Sequence, residues 1–226
     1  MILDKINKLF TEIQRWGQGI PRGPAQLYDK VVSKYLEPEY KQVVDEVCSF
    51  KARKLVDIGC GPGKLLSLIA SRISIDLMVG IDISYAMARI ACRNFRRNGV
   101  MADVVNADAH MLPIRDGSID LAVSTGTLHH IRRPEQVFRE CMRILASRGE
   151  AWIYELSHDA PLKEIVEAAK QLHRPALLLK LSAVMHGIPR REYTEGFIRK
   201  ALDRAGVKYF IEFRGILTKL IISKLL

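Results

Sequence analysis

Short apolar runs alternate with longer amphipathic segments over residues 54–156, and this alternation organises the chain. The runs are short and apolar throughout, which is typical of strands covered on both faces of a sheet. The segments between them carry apolar residues at the helical period. Strands are predicted at 54–58, 77–82, 102–106, 119–124 and 150–155, and helices at 63–72, 84–98 and 134–145. This order predicts a mostly parallel sheet with right-handed crossovers.

The two flanking regions follow a different pattern. Residues 1–16 predict an amphipathic helix, glycines and prolines interrupt 17–24, and further helices are expected at 25–33 and 39–50. After residue 156, helices are predicted at 161–172, 176–186 and 194–205. The second of these is apolar on most faces, and Thr194 is expected to cap the third. Two closing strands, 207–213 and 216–223, meet at Arg214-Gly215 and predict an antiparallel hairpin.

A glycine loop follows the first predicted strand. Its glycines are Gly59, Gly61 and Gly63. They allow a sharp turn and the close approach of a ligand, and such loops lie at the carboxyl edge of an open α/β sheet, where ligands bind. A dinucleotide-binding loop needs glycine where Lys64 stands, and a phosphate-binding P-loop needs Ser or Thr where Leu65 stands. A turn without a ligand is the other alternative, which three alternating glycines after Asp57 disfavour.

Residues 56–63, Val-Asp-Ile-Gly-Cys-Gly-Pro-Gly, resemble motif I of the class I S-adenosylmethionine (SAM) methyltransferases. The passage 80–84, Gly-Ile-Asp-Ile-Ser, places an acidic residue, Asp82, at the end of the second predicted strand. The passages 105–122 and 124–135 resemble those of the ubiquinone/menaquinone-methyltransferase-like small-molecule methyltransferases. The first contains Asp-Ala and Leu-Pro pairs, and the second contains Leu-His-His followed by Pro. The resemblance covers residues 54–156.

The resemblance implies a three-layer, Rossmann-like α/β sandwich. Its sheet would be mostly parallel and seven-stranded, with a C-terminal antiparallel hairpin and the order 3-2-1-4-5-7-6. The chain would form one methyltransferase domain over 1–226. Within it, 1–50 would be an N-terminal helical lid, 54–156 the SAM-binding core, 157–205 a helical insertion over the acceptor site and 206–226 the closing hairpin.

The resemblance also implies SAM as the cofactor and S-adenosylhomocysteine as the product. Asp82 would accept hydrogen bonds from the ribose hydroxyls, and Ile83 would lie on one face of the adenine. Asp108 would accept from the adenine amino group, the Ala109 N–H would donate to a ring nitrogen, and carbonyls after the fourth strand would receive the SAM ammonium. The expected cofactor-binding residues are Asp57, Gly59, Cys60, Gly61, Gly63, Asp82, Ile83, Asp108, Ala109, Ser124 and Thr125.

Methyl transfer from a sulfonium is an in-line displacement, so the protein mainly aligns the two reactants. A general base is needed only when the acceptor loses a proton. His129 is the catalytic candidate because histidine titrates near neutral pH, whereas His130 is expected to support the loop. The expected acceptor contacts are Tyr28 on the lid, His129, and Glu155 at the tip of the fifth strand. A solvated strand end is the other interpretation of Glu155.

Charge bears on the identity of the acceptor. The net charge is +10, which favours acidic partners such as RNA. The predicted function is SAM-dependent methyl transfer to a small-molecule acceptor. One alternative is a tRNA or rRNA methyltransferase. Another is a SAM-binding partner subunit without activity.

Composition sets further expectations. Hydrophobic residues make up 48% of the chain and charged residues 27%, a normal globular mixture. The four cysteines show no metal-ligand spacing, so no metal site is expected and Cys60 is expected to have a packing role. No apolar run reaches the roughly 20 residues that a membrane span needs. A cytoplasmic monomer or homodimer is therefore expected.

Overall fold

A seven-stranded sheet forms the centre of the computed structural model, which describes residues 2–16 and 37–225. The strand order is β3-β2-β1-β4-β5-β7-β6. β1 to β5 pair in parallel, and β7 pairs antiparallel with both β5 and β6. The predicted fold class and strand order are therefore confirmed. The strands are β1 Lys54–Ile58, β2 Leu77–Asp82, β3 Asp103–Asn106, β4 Ile119–Thr125, β5 Leu145–Leu156, β6 Tyr209–Arg214 and β7 Leu217–Ser223.

Helices flank the sheet in the described part of the chain. They are α1 Ile2–Trp16, α2 Glu37–Phe50, α3 Lys64–Ala70, α4 Tyr85–Asn98, α5 Pro134–Ile144, α6 Leu162–Gln171, α7 Ala176–His186, α8 Arg190–Thr194 and α9 Phe197–Ala205, with a short 3-10 segment at Leu128–His130. The helix predicted at 25–33, with Tyr28, lies outside the described residues. No helix among those described is both long and apolar enough to cross a membrane.

Local capping explains where α4 and α9 begin. Ser84 caps α4 by accepting a hydrogen bond from the Met87 N–H, and Gly99 ends that helix with φ +64°. The prediction of Thr194 as an N-cap is wrong, because Thr194 is the last residue of α8. Glu192 accepts from the Phe197 N–H at 2.8 Å and so satisfies the first turn of α9.

The core lies on both faces of the sheet because successive strand residues point to opposite sides. Leu55 packs under α3 and α4 on one face, whereas Val56, the next residue of β1, packs towards α5 on the other. Both are fully buried. The two layers hold the strand ends rigidly, and the loops that follow these ends build the site.

Asn7 fastens α1 to the insertion that follows β5. Its side-chain amide donates to the carbonyls of Val184 at 2.8 Å and Gly187 at 2.9 Å, and the residue is buried. α1 also packs against the 3-10 segment, on the side of the sheet where the site lies. The role of residues 1–50 as a lid stays a prediction.

Candidate active site

The glycine loop after β1 is held against two neighbouring strands. The N–H groups of Gly59 and Cys60 both donate to the Ile81 carbonyl, at 2.7 and 2.9 Å. Gly59 has φ +79°, and a Cβ built there would lie 2.2 Å from Oγ1 of Thr127, which follows β4. The loop therefore packs directly on the next strand connection and leaves no room for a side chain. Glycine at position 59 is required both by backbone conformation and by space.

Asp82 closes the glycine loop from the tip of β2. Its Oδ2 accepts the Gly61 N–H and its Oδ1 accepts the Ser84 N–H, each at 2.8 Å. Burial raises the pKa of this carboxyl, and the two backbone donors act in the opposite direction. The next residue, Ile83, is 41% exposed. The strand tip thus offers a fixed acidic acceptor beside an open apolar side chain, which suits a ribose next to a flat base.

Asp57 is the buried acidic residue of the loop motif. It is 1% exposed, and its Oδ1 has no hydrogen-bond partner in the part of the chain that the structure describes. Burial raises its pKa to about 8, and the nearby charge of Asp82 adds to that shift. A buried carboxyl oxygen without a partner costs stability, so its presence calls for a ligand donor or cation. The cationic ligand SAM fits this requirement, and the glycine loop beside it fits a ligand that approaches the backbone.

The loop after β3 brings Asp108 to the same edge. Partial burial raises the pKa of this carboxyl, but donors from His110 outweigh burial and lower it. The backbone N–H of His110 lies 2.9 Å, and its Nδ1 2.6 Å, from Asp108 Oδ1. The Ala107 N–H donates to the Asp82 carbonyl at 3.2 Å, so this loop is attached to the tip of β2 beside Ala109.

The end of β4 completes the part of the site where the cofactor is expected to bind. The buried Ser124 hydroxyl donates to the Ile58 carbonyl at 2.8 Å, so this side chain joins two strand tips. The hydroxyl of Thr127 lies 3.3 Å from the Thr125 carbonyl. Asp57, Asp82, Ser124 and the loop after β3 therefore converge on one edge of the sheet, as the sequence predicted for parallel strands.

His129 and Glu155 form a buried pair next to that edge. His129 Nδ1 lies 2.8 Å from Glu155 Oε2, and the Leu128 N–H donates to Oε1 at 2.5 Å. Burial raises the pKa of Glu155 to about 8, while backbone donors of the 3-10 segment lower it. Glu155 is 1% exposed, so the solvated strand end considered from the sequence is wrong. Its oxygens face His129 and the 3-10 segment, and direct contact with an acceptor stays a prediction.

Sequence reasoning missed two further residues beside this pair. The ring of His186, at the end of α7, has its centroid 6.0 Å from that of His129. Burial is the main cause that lowers the pKa of His186 to about 4, and the nearby His129 is the second cause. Tyr193 is fully buried, and its hydroxyl has no hydrogen-bond partner among the described residues. Burial, then the charge of Glu155, raises the pKa of Tyr193. No motif marks either residue, because they reach the site through the packing of the insertion.

The cysteine in the glycine loop is a packing residue. Burial raises the pKa of Cys60 well above its usual value, and its Sγ lies against the missing Cβ of Gly80. A thiol of this kind is a poor nucleophile. Among the described residues, no group of three or more His, Cys, Asp or Glu side chains could hold a metal ion.

Comparisons with known proteins agree with this geometry. A methyltransferase-domain family matches residues 56–153. A malonyl-[acyl-carrier protein] O-methyltransferase of Geobacter sulfurreducens is 32% identical over 181 residues, which are 74% of this chain and 62% of the relative. An uncharacterised protein of Methanocaldococcus jannaschii is 31% identical over 205 residues, 86% of this chain and 72% of that protein.

The fold has close structural counterparts. The crystal structure of a candidate SAM-dependent methyltransferase from Methanococcus maripaludis superposes with a TM-score of 0.71 at 24% identity, covering 90% of this chain and 93% of that one. The sheet and the glycine loop define a Rossmann-like methyltransferase fold. The chain belongs to the class I SAM-dependent methyltransferases, the family that the sequence resemblance indicated. It spans 62% of the length of the Geobacter relative, so that protein's substrate is not carried over here.

Proposed function

We propose that this protein transfers the methyl group of SAM to a small-molecule acceptor by in-line displacement. The observation that carries the proposal is the buried Asp57 Oδ1 without a partner, next to a glycine loop that Asp82 holds in place. Bound SAM would supply an electrophilic methyl group on a cationic sulfur. The residues of this chain would bind it, orient it and exclude water.

The cofactor would bind at the carboxyl ends of β1, β2 and β4. Asp57 would face a positive group of the ligand, which would offset the cost of its burial. Asp82 would accept the ribose hydroxyls while it holds Gly61 and Ser84, and Ile83 would cover the adenine. The remaining proposed contacts are Gly59, Cys60, Gly63, Asp108, Ala109, Ser124 and Thr125.

His129 would take the proton that the acceptor gives up. Above the raised pKa of Glu155, the ionised carboxylate can only accept hydrogen bonds, so it fixes the His129 tautomer that carries the proton on Nδ1. Nε2 is then the basic nitrogen. A histidine held in this way by a carboxylate is a general base, which suits an acceptor that must lose a proton, such as a hydroxyl or an acidic C–H.

A small-molecule acceptor has two lines of support. The described site is enclosed, since His129 is 2% exposed, α1 packs on its segment, and the ring of His186 at the end of α7 lies 6.0 Å from that of His129. The Geobacter relative is named for O-methylation of a carrier-bound malonyl group. The net charge of +10 favours the alternative of an RNA acceptor. A SAM-binding partner subunit without activity is the third candidate.

Two experiments separate these candidates. Calorimetry with SAM and with S-adenosylhomocysteine tests binding, and failure of both to bind would refute the cofactor site. Incubation with methyl-labelled SAM and either a metabolite extract or total RNA tests transfer. Label in the metabolite fraction supports the proposal, and label in RNA supports the alternative. Binding without label in either fraction would favour the partner subunit.

A further inference from the structure

One face of α7 is apolar and open to solvent. Leu177, Leu178, Leu181 and Met185 recur at a spacing that puts them on the same side of the helix, and they are 69%, 47%, 44% and 39% exposed. The opposite side, with Leu179 buried, packs towards the sheet. Clustered exposure of large side chains on one side of a helix marks a surface that another body covers.

α1 extends this surface. Asn7 fastens α1 to the carbonyls of Val184 and Gly187 at the end of α7, so the two helices are neighbours, and α1 has exposed apolar side chains of its own. Ile6 and Leu9 belong to the α1 stripe, and Leu9 is 58% exposed. The α1–α7 face is defined here by six residues: Ile6, Leu9, Leu177, Leu178, Leu181 and Met185.

Basic side chains border the α1–α7 face. Lys5 and Lys8 are exposed on α1 beside its apolar stripe. An open cleft of about 650 Å³ between α6 and α7 is lined by Val166, Lys170 and Arg174, among others. Positively charged lysine and arginine side chains therefore lie beside the exposed apolar side chains.

Nearby carboxylates do not cancel this charge. Asp4 is paired with Arg191 and His158. Glu164 is paired with Arg190 at 2.7 Å. Both carboxylates are therefore directed at the protein's own basic groups. Glu12 on α1 and Glu167 on α6 are also exposed, but they are outnumbered by exposed lysines on the same two helices, namely Lys5, Lys8, Lys163 and Lys170.

We infer that the α1–α7 face rests on the surface of an anionic lipid bilayer. Its leucines would enter the boundary between headgroups and acyl chains, and Lys5, Lys8 and the cleft beside Arg174 would meet lipid phosphates. No described helix is built to cross the bilayer, so the contact is peripheral. A second copy of the chain is a weaker occupant, because a two-fold contact would bring two cationic rims together. The inference does not depend on methyl transfer.

Vesicle sedimentation tests the inference on the full chain. The wild-type protein should bind vesicles of phosphatidylcholine mixed with phosphatidylglycerol more tightly than vesicles of phosphatidylcholine alone, and added salt should weaken this binding. Leu178→Gln with Leu181→Gln should lower partitioning roughly tenfold or more, because each buried methylene contributes to anchoring. Lys5→Gln with Lys8→Gln should lower partitioning roughly tenfold on anionic vesicles only.

Met101→Gln is the matched control, because Met101 is 87% exposed and precedes β3 at the opposite edge of the sheet. It should bind vesicles like the wild type. SAM calorimetry on each variant separates loss of folding from loss of lipid contact. Absence of binding to anionic vesicles overturns the inference, as does unchanged binding of the leucine variant. A homodimer that the leucine variant dissociates, with no vesicle binding, would assign the face to a second copy.

Discussion

His129 Nδ1 lies 2.8 Å from the Oε2 atom of Glu155, and both side chains are almost completely buried. The other oxygen of Glu155 accepts the Leu128 N–H, so one carboxylate fixes both the backbone and the ring of the 3-10 segment. Because this carboxylate comes from the tip of β5, the position of the imidazole is set by the sheet. An imidazole carried by a short 3-10 segment is thereby held by a side chain that a strand positions.

Replacing Glu155 by Gln should impair turnover more than cofactor binding. The Gln amide would donate to His129 Nδ1, which would move the ring proton to Nε2 and remove the basic nitrogen. We expect kcat to fall by roughly 10²-fold, the scale of general-base catalysis, with SAM affinity unchanged. Nitrogen NMR of labelled histidine should show the change of tautomer. An unchanged kcat with an altered tautomer would exclude His129 as the base.

Asp57→Asn should change the pH dependence of stability. The pKa of Asp57 is raised from 3.8 to about 8 in the folded state, so between these values the folded state holds a proton that the unfolded state has lost. This contribution to stability is complete at low pH and is lost as pH rises towards 8. In the variant, the free energy of unfolding should lack this part of its dependence on pH. Near pH 8 the variant should be more stable than wild type by about 1–3 kcal/mol.

Urea denaturation of both ligand-free proteins across that range measures the difference. Groups distant from Asp57 titrate equally in both proteins and cancel, so the difference reports Asp57 together with Asp82, whose charge is coupled to it. The same variant should bind SAM more weakly, because Asn cannot ionise beside the cationic ligand as Asp57 would. Parallel stability curves would contradict the raised pKa of Asp57.

Asp82→Ala should weaken SAM binding by roughly 10- to 100-fold, the value of one or two charge-assisted hydrogen bonds. It also removes the acceptor for the Gly61 and Ser84 N–H groups, so the loop loses its anchor. Calorimetry measures the affinity. Asp103→Ala is the control, since Asp103 is an exposed acidic residue at the start of β3. Equal affinities of the two variants would refute the ribose role.

Gly59→Ala and Gly61→Ala should differ although both glycines have positive φ. Alanine at 61 meets open space and should cost only about 1–2 kcal/mol of backbone strain. Alanine at 59 would meet Thr127 at 2.2 Å, which adds about 1–3 kcal/mol for the forced shift of a packed side chain. Denaturant midpoints of the two variants measure the difference. Equal stability would show that Thr127 moves freely.

The strands and helices of 54–156 were predictable because each carries its own periodicity, and the closing hairpin because a short glycine connection permits little else. The resemblance supplied the strand order. The cofactor edge followed from the placement of acidic residues at strand ends, a local property of the sequence. Contacts between distant segments were not predictable. The carboxylate of Glu155 is covered by Leu128 and His129 of the 3-10 segment. The start of α9 depends on Glu192, whose side-chain hydrogen bond the pattern of apolar residues does not encode.

Asn7 binds carbonyls that lie 177 and 180 residues further along the chain. At a synthesis rate of about 5–20 residues per second, the two carbonyls that Asn7 binds are added roughly 9–36 s after Asn7 itself. During that interval the Asn7 amide has no native acceptor. The hydrogen bonds that fasten α1 to the end of α7 therefore form late in biogenesis, only after Gly187 has been synthesised.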